Sequence, residues 1–383
     1  MTLKAPFPYF GGKSRAAALV WPRFGAVRNY VEPFLGSAAM LLGRPEGWTG
    51  TETVNDADGL LANFWRALKD DPAAVAKWAD WPVNENDLHA RHAWLVERKD
   101  SLQARLEGDP DFYCPKSAGW WVWGMACWIG GGFCSGKGPW HVQEGKLVHL
   151  GNAGQGVNRK LVHLGDAGRG VNRKLVHLGN AGRGVNRKRV HLGNAGRGVN
   201  RQRVYLGNAQ GVNRQRVYLG NAQGVNRQRV EDLTAYFGLL ADRLARVRVC
   251  CGDWKRVCTP AVTVKHGLTA VFLDPPYADT AQRDPHLYRI DSARLAHDVR
   301  EWAIEHGGDP RLRIALCGYE GEHKMPRSWA CVPWKANGGY GSQAAGRGLA
   351  NSHRERIWFS PHCLKPVAVR VAKAEQAKVA LCG

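Results

Sequence analysis

A chain of 383 residues, 44% of them hydrophobic, is long enough to bury the core of one large α/β domain that carries an insert. Its 54 Lys and Arg exceed its 33 Asp and Glu, and the net charge of +21 points to a polyanionic partner, nucleic acid first, over an acidic one. No apolar run reaches the roughly 18 residues of a membrane span, no apolar leader opens the chain, and its 10 cysteines contain no CxxC pair. A membrane protein, a secreted protein and a zinc finger are therefore excluded as expectations, and a reducing, cytoplasmic compartment with all thiols free is expected.

The predicted elements begin with an apolar pair, Tyr30-Val31, read as a strand. The loop Glu32-Pro33-Phe34-Leu35-Gly36-Ser37 follows it, then a short helix over Ala38–Leu42. Val54 leads a second strand into Asn55-Asp56, after which Leu60, Leu61, Phe64, Trp65 and Leu68 recur at helical spacing. Strand, loop and helix repeated in this way predict a parallel sheet with crossover helices. Residues 72–112 read as helices with one polar face. Between Gly119 and Trp140, Trp120, Trp121, Trp123, Trp128 and Trp140 stand among glycines, either as an aromatic core corner or as a surface that stacks on bases.

A tandem repeat comes next. Val148, Val162, Val176, Val190 and Val204 each begin a copy of a VHLGNAGRGVNRKR-like unit with a period of 14 residues, and the steps to Val217 and Val230 shorten to 13. Residues 146–230 hold 17 Lys and Arg against one acid, Asp166, so most of the net charge is local to the repeat. Small β-loops or coils, and a disordered arm produced by duplication, are both compatible with its turn-rich composition.

Ordinary protein is expected to resume after Val230, with a helix presenting Leu233, Phe237, Leu240 and Leu244. A strand over Val247–Cys251 then runs into Gly252-Asp253-Trp254, and a buried strand Ala270–Leu273 runs into Asp274-Pro275-Pro276-Tyr277. A helix over 295–305 and strands at Ile314–Leu316 and Ile357–Phe359 complete the pattern. Glu32, Asp56, Asp253 and Asp274 thus stand at four strand ends, where open α/β sheets bind their ligands. His286, His297, His323 and His353 share no spacing and are read as surface residues. Asp279-Thr280 is read as pocket lining or a helix cap, and Asn337–Gly341 as a glycine-rich loop able to close over DNA.

These segments, in this order, resemble the Dam-like (class alpha) DNA adenine-N6 methyltransferases. Phe7-Pro8-Tyr9-Phe10-Gly11-Gly12-Lys13 is similar to their N-terminal motif, Tyr30 to Ser37 to their cofactor loop, and Asn55-Asp56 with Asn63-Phe64 to the acidic segment after it. Gly252-Asp253-Trp254 resembles the segment before the catalytic strand, and Asp274 to Tyr277 their catalytic motif. The resemblance covers residues 5–66 and 250–280 closely, 112–140 and 280–360 loosely, and the repeat not at all. Two positions depart from the pattern: Ala38 stands where the family commonly has glycine, and Asp58 where asparagine is frequent.

The resemblance implies a Rossmann-like, S-adenosylmethionine-dependent sheet. Its cofactor part would cover residues 1–72, a helical, Trp-rich target-recognition region 73–145, the basic repeat 146–230, the catalytic part 231–365, and a tail 366–383. It implies cofactor contacts from Tyr9, Gly11, Lys13, Glu32, Pro33, Phe34, Gly36, Ser37, Asp56, Asp253 and Trp254, with Asp56 on the ribose and Asp253 on the cofactor's adenine. Asp274 and the Pro275 carbonyl would accept the two hydrogens of the target amino group, Pro276 would stiffen the turn, and Tyr277 would stack on a flipped base. Duplex DNA is the implied partner, bound by a monomer without metal, and a cognate restriction endonuclease is left open. Cytosine or RNA as substrate, and a DNA-binding scaffold that no longer turns over, are the alternatives.

Overall fold

The computed structural model describes residues 3–9, 13–128, 133–134, 140–143, 146–149, 225–277, 294–334 and 353–366. In chain order the described elements are α1 (Ala17–Phe24), β1 (Asn29–Glu32), α2 (Ala39–Leu42), β2 (Thr51–Asp56), α3 (Gly59–Asp70), α4 (Pro72–Ala79), α5 (Glu85–Gly108) and α6 (Pro115–Cys127). Then follow β3 (Trp140–Gln143), β4 (Lys146–His149), α7 (Val225–Leu244), β5 (Val247–Cys251), β6 (Thr269–Leu273), α8 (Leu295–His306), β7 (Leu312–Tyr319), β8 (Ala330–Pro333) and β9 (Glu355–Phe359).

Seven strands form one sheet in the order β5-β2-β1-β6-β7-β9-β8. The first five are mutually parallel, whereas β9 runs antiparallel to both β7 and β8. The chain builds outward from β1 through β2 to β5, then crosses back over β1 to lay down β6 and β7. Strand order therefore reverses between β1 and β6, which opens a crevice at their carboxyl ends. This mixed α/β sheet, mostly parallel as the alternation of strands and helices predicts, is compatible with a Rossmann-like fold. Central β1 and β6 are buried along their whole length, while the edge strand β8 is largely exposed.

Side-chain alternation divides the core into two layers. Tyr30, Val54, Val249, Phe272, Cys317 and Ile357 face one side, beneath α1, α3 to α6 and α7. Val31, Val271, Leu273, Ile314, Leu316 and Trp358 face the other, where Val299 and Ala303 of α8 and the 3-10 turn Trp254–Val257 pack. Helices α4 to α6 thus share the core of the sheet's first layer. Trp121, Trp123 and Trp128 are buried in that layer, which makes this part of the tryptophan stretch a core corner; the side chain of Trp140 lies outside the described residues.

α7 begins at Val225, inside the last repeat copy, and β4 contains the start of the first copy, paired antiparallel with β3. The repeat between them lies outside the described residues. Among the described residues, no helix is long and apolar enough to cross a membrane. Nine of the cysteines are described and all nine are free.

One expectation fails at His323. It is not a surface residue: only 6% exposed, it packs edge-on against Trp358 and bonds through Nε2 to the Cys317 carbonyl. Burial pulls its pKa down to about 4, so it is a neutral core histidine. His297 is half-buried, His353 is exposed, and His286 lies outside the described residues.

Candidate active site

The carboxyl ends of the parallel strands carry the chemistry because of parity. Tyr30 and Val54 point into the first core layer, so Glu32 and Asp56, two residues on, point to the same side. Ala270 and Phe272 set the same side for Asp274, which directly follows β6. Tyr319 ends β7 on that side, and because β9 is antiparallel its first residue, Glu355, is paired with Tyr319 at the same rim.

A buried charge cluster results. Lys13 is 4% exposed, and its Nζ lies 3.1 Å from Asp274 Oδ1 and 3.6 Å from Glu355 Oε2. The same ammonium donates to the Tyr277 hydroxyl over 2.8 Å, and that hydroxyl donates to Glu355 Oε2 over 2.6 Å. The Tyr277 ring meets Tyr319 edge to face at 4.5 Å, and Lys13 Nζ also lies 5.5 Å from the centre of the Trp334 ring. Pro275 and Pro276 are buried, but the Asp274 side chain is 20% exposed, open enough to meet a ligand. Phe7, wedged among Phe64, Trp65 and Trp121, anchors the N-terminal segment that brings Lys13 here.

Electrostatics tune this cluster. Burial raises the Asp274 carboxyl to about 6, against the opposing pull of Lys13 and with the nearby Glu355 charge adding to the rise. Burial, reinforced by Glu355 and Asp274, holds the Tyr277 phenol well above its usual range, so it stays a neutral donor. Glu32, 2% exposed, is likewise raised well above the carboxylate range by burial, although it accepts from the Tyr30 hydroxyl at 2.9 Å.

Beside the cluster, the loop after β1 is stitched to the next strand ends. The Gly36 amide donates to Asp56 Oδ2 over 3.0 Å, and the Gly36 carbonyl accepts from Trp65 Nε1 over 3.0 Å. Asn55 Nδ2 bonds both the Pro33 and Gly252 carbonyls, which joins the ends of β1, β2 and β5. Gly36 has a φ of +50°, and a Cβ there would sit 2.7 Å from Tyr9 Cε1; only glycine permits this approach. Ala38 is also left-handed, with φ 54° and ψ 26°, a conformation that glycine adopts at least cost. Asp58, the other departure, caps α3 by accepting from the Leu60 amide at 2.9 Å, a task asparagine performs equally.

Asp56 is half-buried and also accepts from the Asp58 amide at 2.9 Å. Asp253 is exposed and caps the 3-10 turn through the Lys255 amide. Trp254 is buried, 6.1 Å from Phe34 and edge-on to Trp302, and so supports the loop from the second core layer. Ser37 is half-buried in the same loop. Gly11, Asp279, Thr280 and the Asn337–Gly341 loop lie outside the described residues.

The structure thus gathers Lys13, Asp274 and Tyr277 into one cluster, and Gly36, Ser37 and Asp56 into an adjoining loop. Sequence reading missed Glu355. Its only signal was an acid opening the apolar run Ile357-Trp358-Phe359, and its place at the site depends on the reversed direction of β9. No protein-family model matches the chain, and no curated protein matches it.

Proposed function

We propose that this protein is a DNA adenine-N6 methyltransferase that uses S-adenosylmethionine. The observation that carries the reading is Asp274-Pro275-Pro276-Tyr277 at the strand-order reversal, next to the end of β1 whose glycine loop bonds Asp56. The residues present fit the cofactor. Asp56 accepts from the Gly36 and Asp58 amides at the carboxyl end of β2, where an acid meets a ribose hydroxyl in sheets of this kind. Asp253 is exposed at a neighbouring strand end, and Gly36 lets the loop close against Tyr9 beside it.

When bound, the cofactor supplies an electrophilic methyl group on a sulfonium. Asp274 and the Pro275 carbonyl accept hydrogens from the target amino group, which stabilises the positive charge that develops on its nitrogen. Two consecutive prolines fix the direction of those acceptors before substrate arrives. Tyr277, held by Glu355 and Lys13, presents a ring that cannot swing away, suited to stacking on an extruded base. Adenine over cytosine, and DNA over RNA, follow from the family resemblance. The basic repeat and helices α4 to α6 are assigned to gripping and selecting the duplex.

The test is transfer of labelled methyl from S-adenosylmethionine to unmethylated duplex DNA, followed by nucleoside digestion, with Asp274→Ala in parallel. Label in N6-methyladenine that disappears in the variant is expected. Label in cytosine or RNA, or cofactor binding without transfer to any nucleic acid, would replace the reading with one of its alternatives.

A further inference from the structure

We propose that Glu355 is a positioning residue that keeps Asp274 a strong acceptor for substrate by giving Lys13 a second carboxylate to hold. The inference rests on the proposed function, in which Asp274 accepts a hydrogen from the target amino group. In the structure that carboxylate is already engaged: Lys13 Nζ lies 3.1 Å from Asp274 Oδ1. The ammonium draws on the same negative charge that the incoming amino group needs, and so weakens Asp274 as an acceptor.

Glu355 offers the way out. Its Oε2 is 3.6 Å from the same ammonium, and the Tyr277 hydroxyl bridges the two, accepting from Lys13 at 2.8 Å and donating to Glu355 at 2.6 Å. A shift of roughly an ångström brings Nζ to a charge-assisted hydrogen bond with Glu355, well within the reach of a flexible lysine. The antiparallel course of β9 supplies this carboxylate at the rim formed by the parallel strands.

The charged and titratable groups facing Asp274 are Lys13 from the N-terminal segment, Glu32 from β1, Glu355 from β9, Cys317 from β7 and its own neighbour Tyr277. Of these, Lys13 favours the ionised carboxylate and Glu355 opposes it. Replacing Glu355 by a neutral isostere therefore ties Lys13 more firmly to Asp274 and lowers the pH at which Asp274 titrates.

The experiment is a double-mutant cycle on methyl transfer, paired with carboxyl carbon NMR of Asp274. Glu355→Gln is expected to lower kcat about tenfold or more in the parent chain, but less than about twofold in a Lys13→Met background, where no lysine draws on the acceptor. Asp274 should titrate at lower pH in Glu355→Gln than in the parent, and Glu355→Asp, which keeps the charge, should restore most of kcat. Equal losses in both backgrounds, or an unmoved Asp274 titration, would overturn the role of Glu355 while leaving the methyltransferase reading intact. A parent chain that transfers no methyl group overturns that reading and the inference with it. A Glu355→Gln chain that fails to fold shifts the cycle to Glu355→Asp, whose activity must then stay near the parent's.

Discussion

Asp274 is the residue on which activity should turn. It accepts most strongly when ionised, and its pKa is raised to about 6, so the carboxylate is lost as pH falls through that value. Transfer rate measured against pH should therefore show an acid limb near 6 that disappears with Asp274→Asn, which should also lower kcat by about a hundredfold. Ala38 makes a second residue-level case. Its left-handed backbone costs an alanine roughly 1 kcal/mol. Ala38→Gly relieves that strain but loses a buried methyl worth ~0.8 kcal/mol, so its thermal melt should stay close to the parent's. Ala38→Val adds a β-branched side chain in the same left-handed conformation and should destabilise by about 2 kcal/mol or more.

Among the elements, the loop between β1 and α2 depends most on a single position. Gly36 bonds Asp56 through its amide and Trp65 through its carbonyl, and leaves no room for a Cβ against Tyr9. Gly36→Ala should displace either Tyr9 or the loop. Calorimetric titration with S-adenosylmethionine should then show affinity reduced by about tenfold or more, with global stability falling by only about 1–2 kcal/mol. An unchanged affinity would detach this loop from cofactor binding. β9 illustrates the opposite relation between element and site. It contributes Glu355 only because it runs against its neighbours, so its first residue rather than its last reaches the rim.

At the scale of the whole molecule, charge is the governing feature. Most of the +21 lies in residues 146–230, apart from the sheet that carries the candidate site. Phosphate contacts release counterions, so DNA affinity should fall with salt at a log–log slope of about −0.9 per phosphate neutralised. Deleting residues 150–224 should flatten that slope markedly while leaving the Asp274-dependent chemistry measurable at low salt. An unchanged slope would remove the repeat from DNA binding.

The parallel sheet, its crossover helices and four of the strand-end acids were legible in the sequence, because apolar periodicity and glycine placement are local and each strand, loop and helix carries its own signal. Glu32, Asp56 and Asp274 could be marked as one constellation for the same reason: parallel strands all deliver their carboxyl ends to one rim. The partner of Tyr277 was not legible. Glu355 lies 78 positions further along the chain, and only the reversal of β9 brings it to 2.6 Å from that hydroxyl. His323 was misread because its burial depends on Trp358 and the bend after β7, and no local pattern encodes either. The sequence by itself determined which residues can do chemistry and on which strands they ride. Tertiary structure alone decided which of them share a charge, because ion pairing among buried groups depends on distances of a few ångströms between segments far apart in the chain.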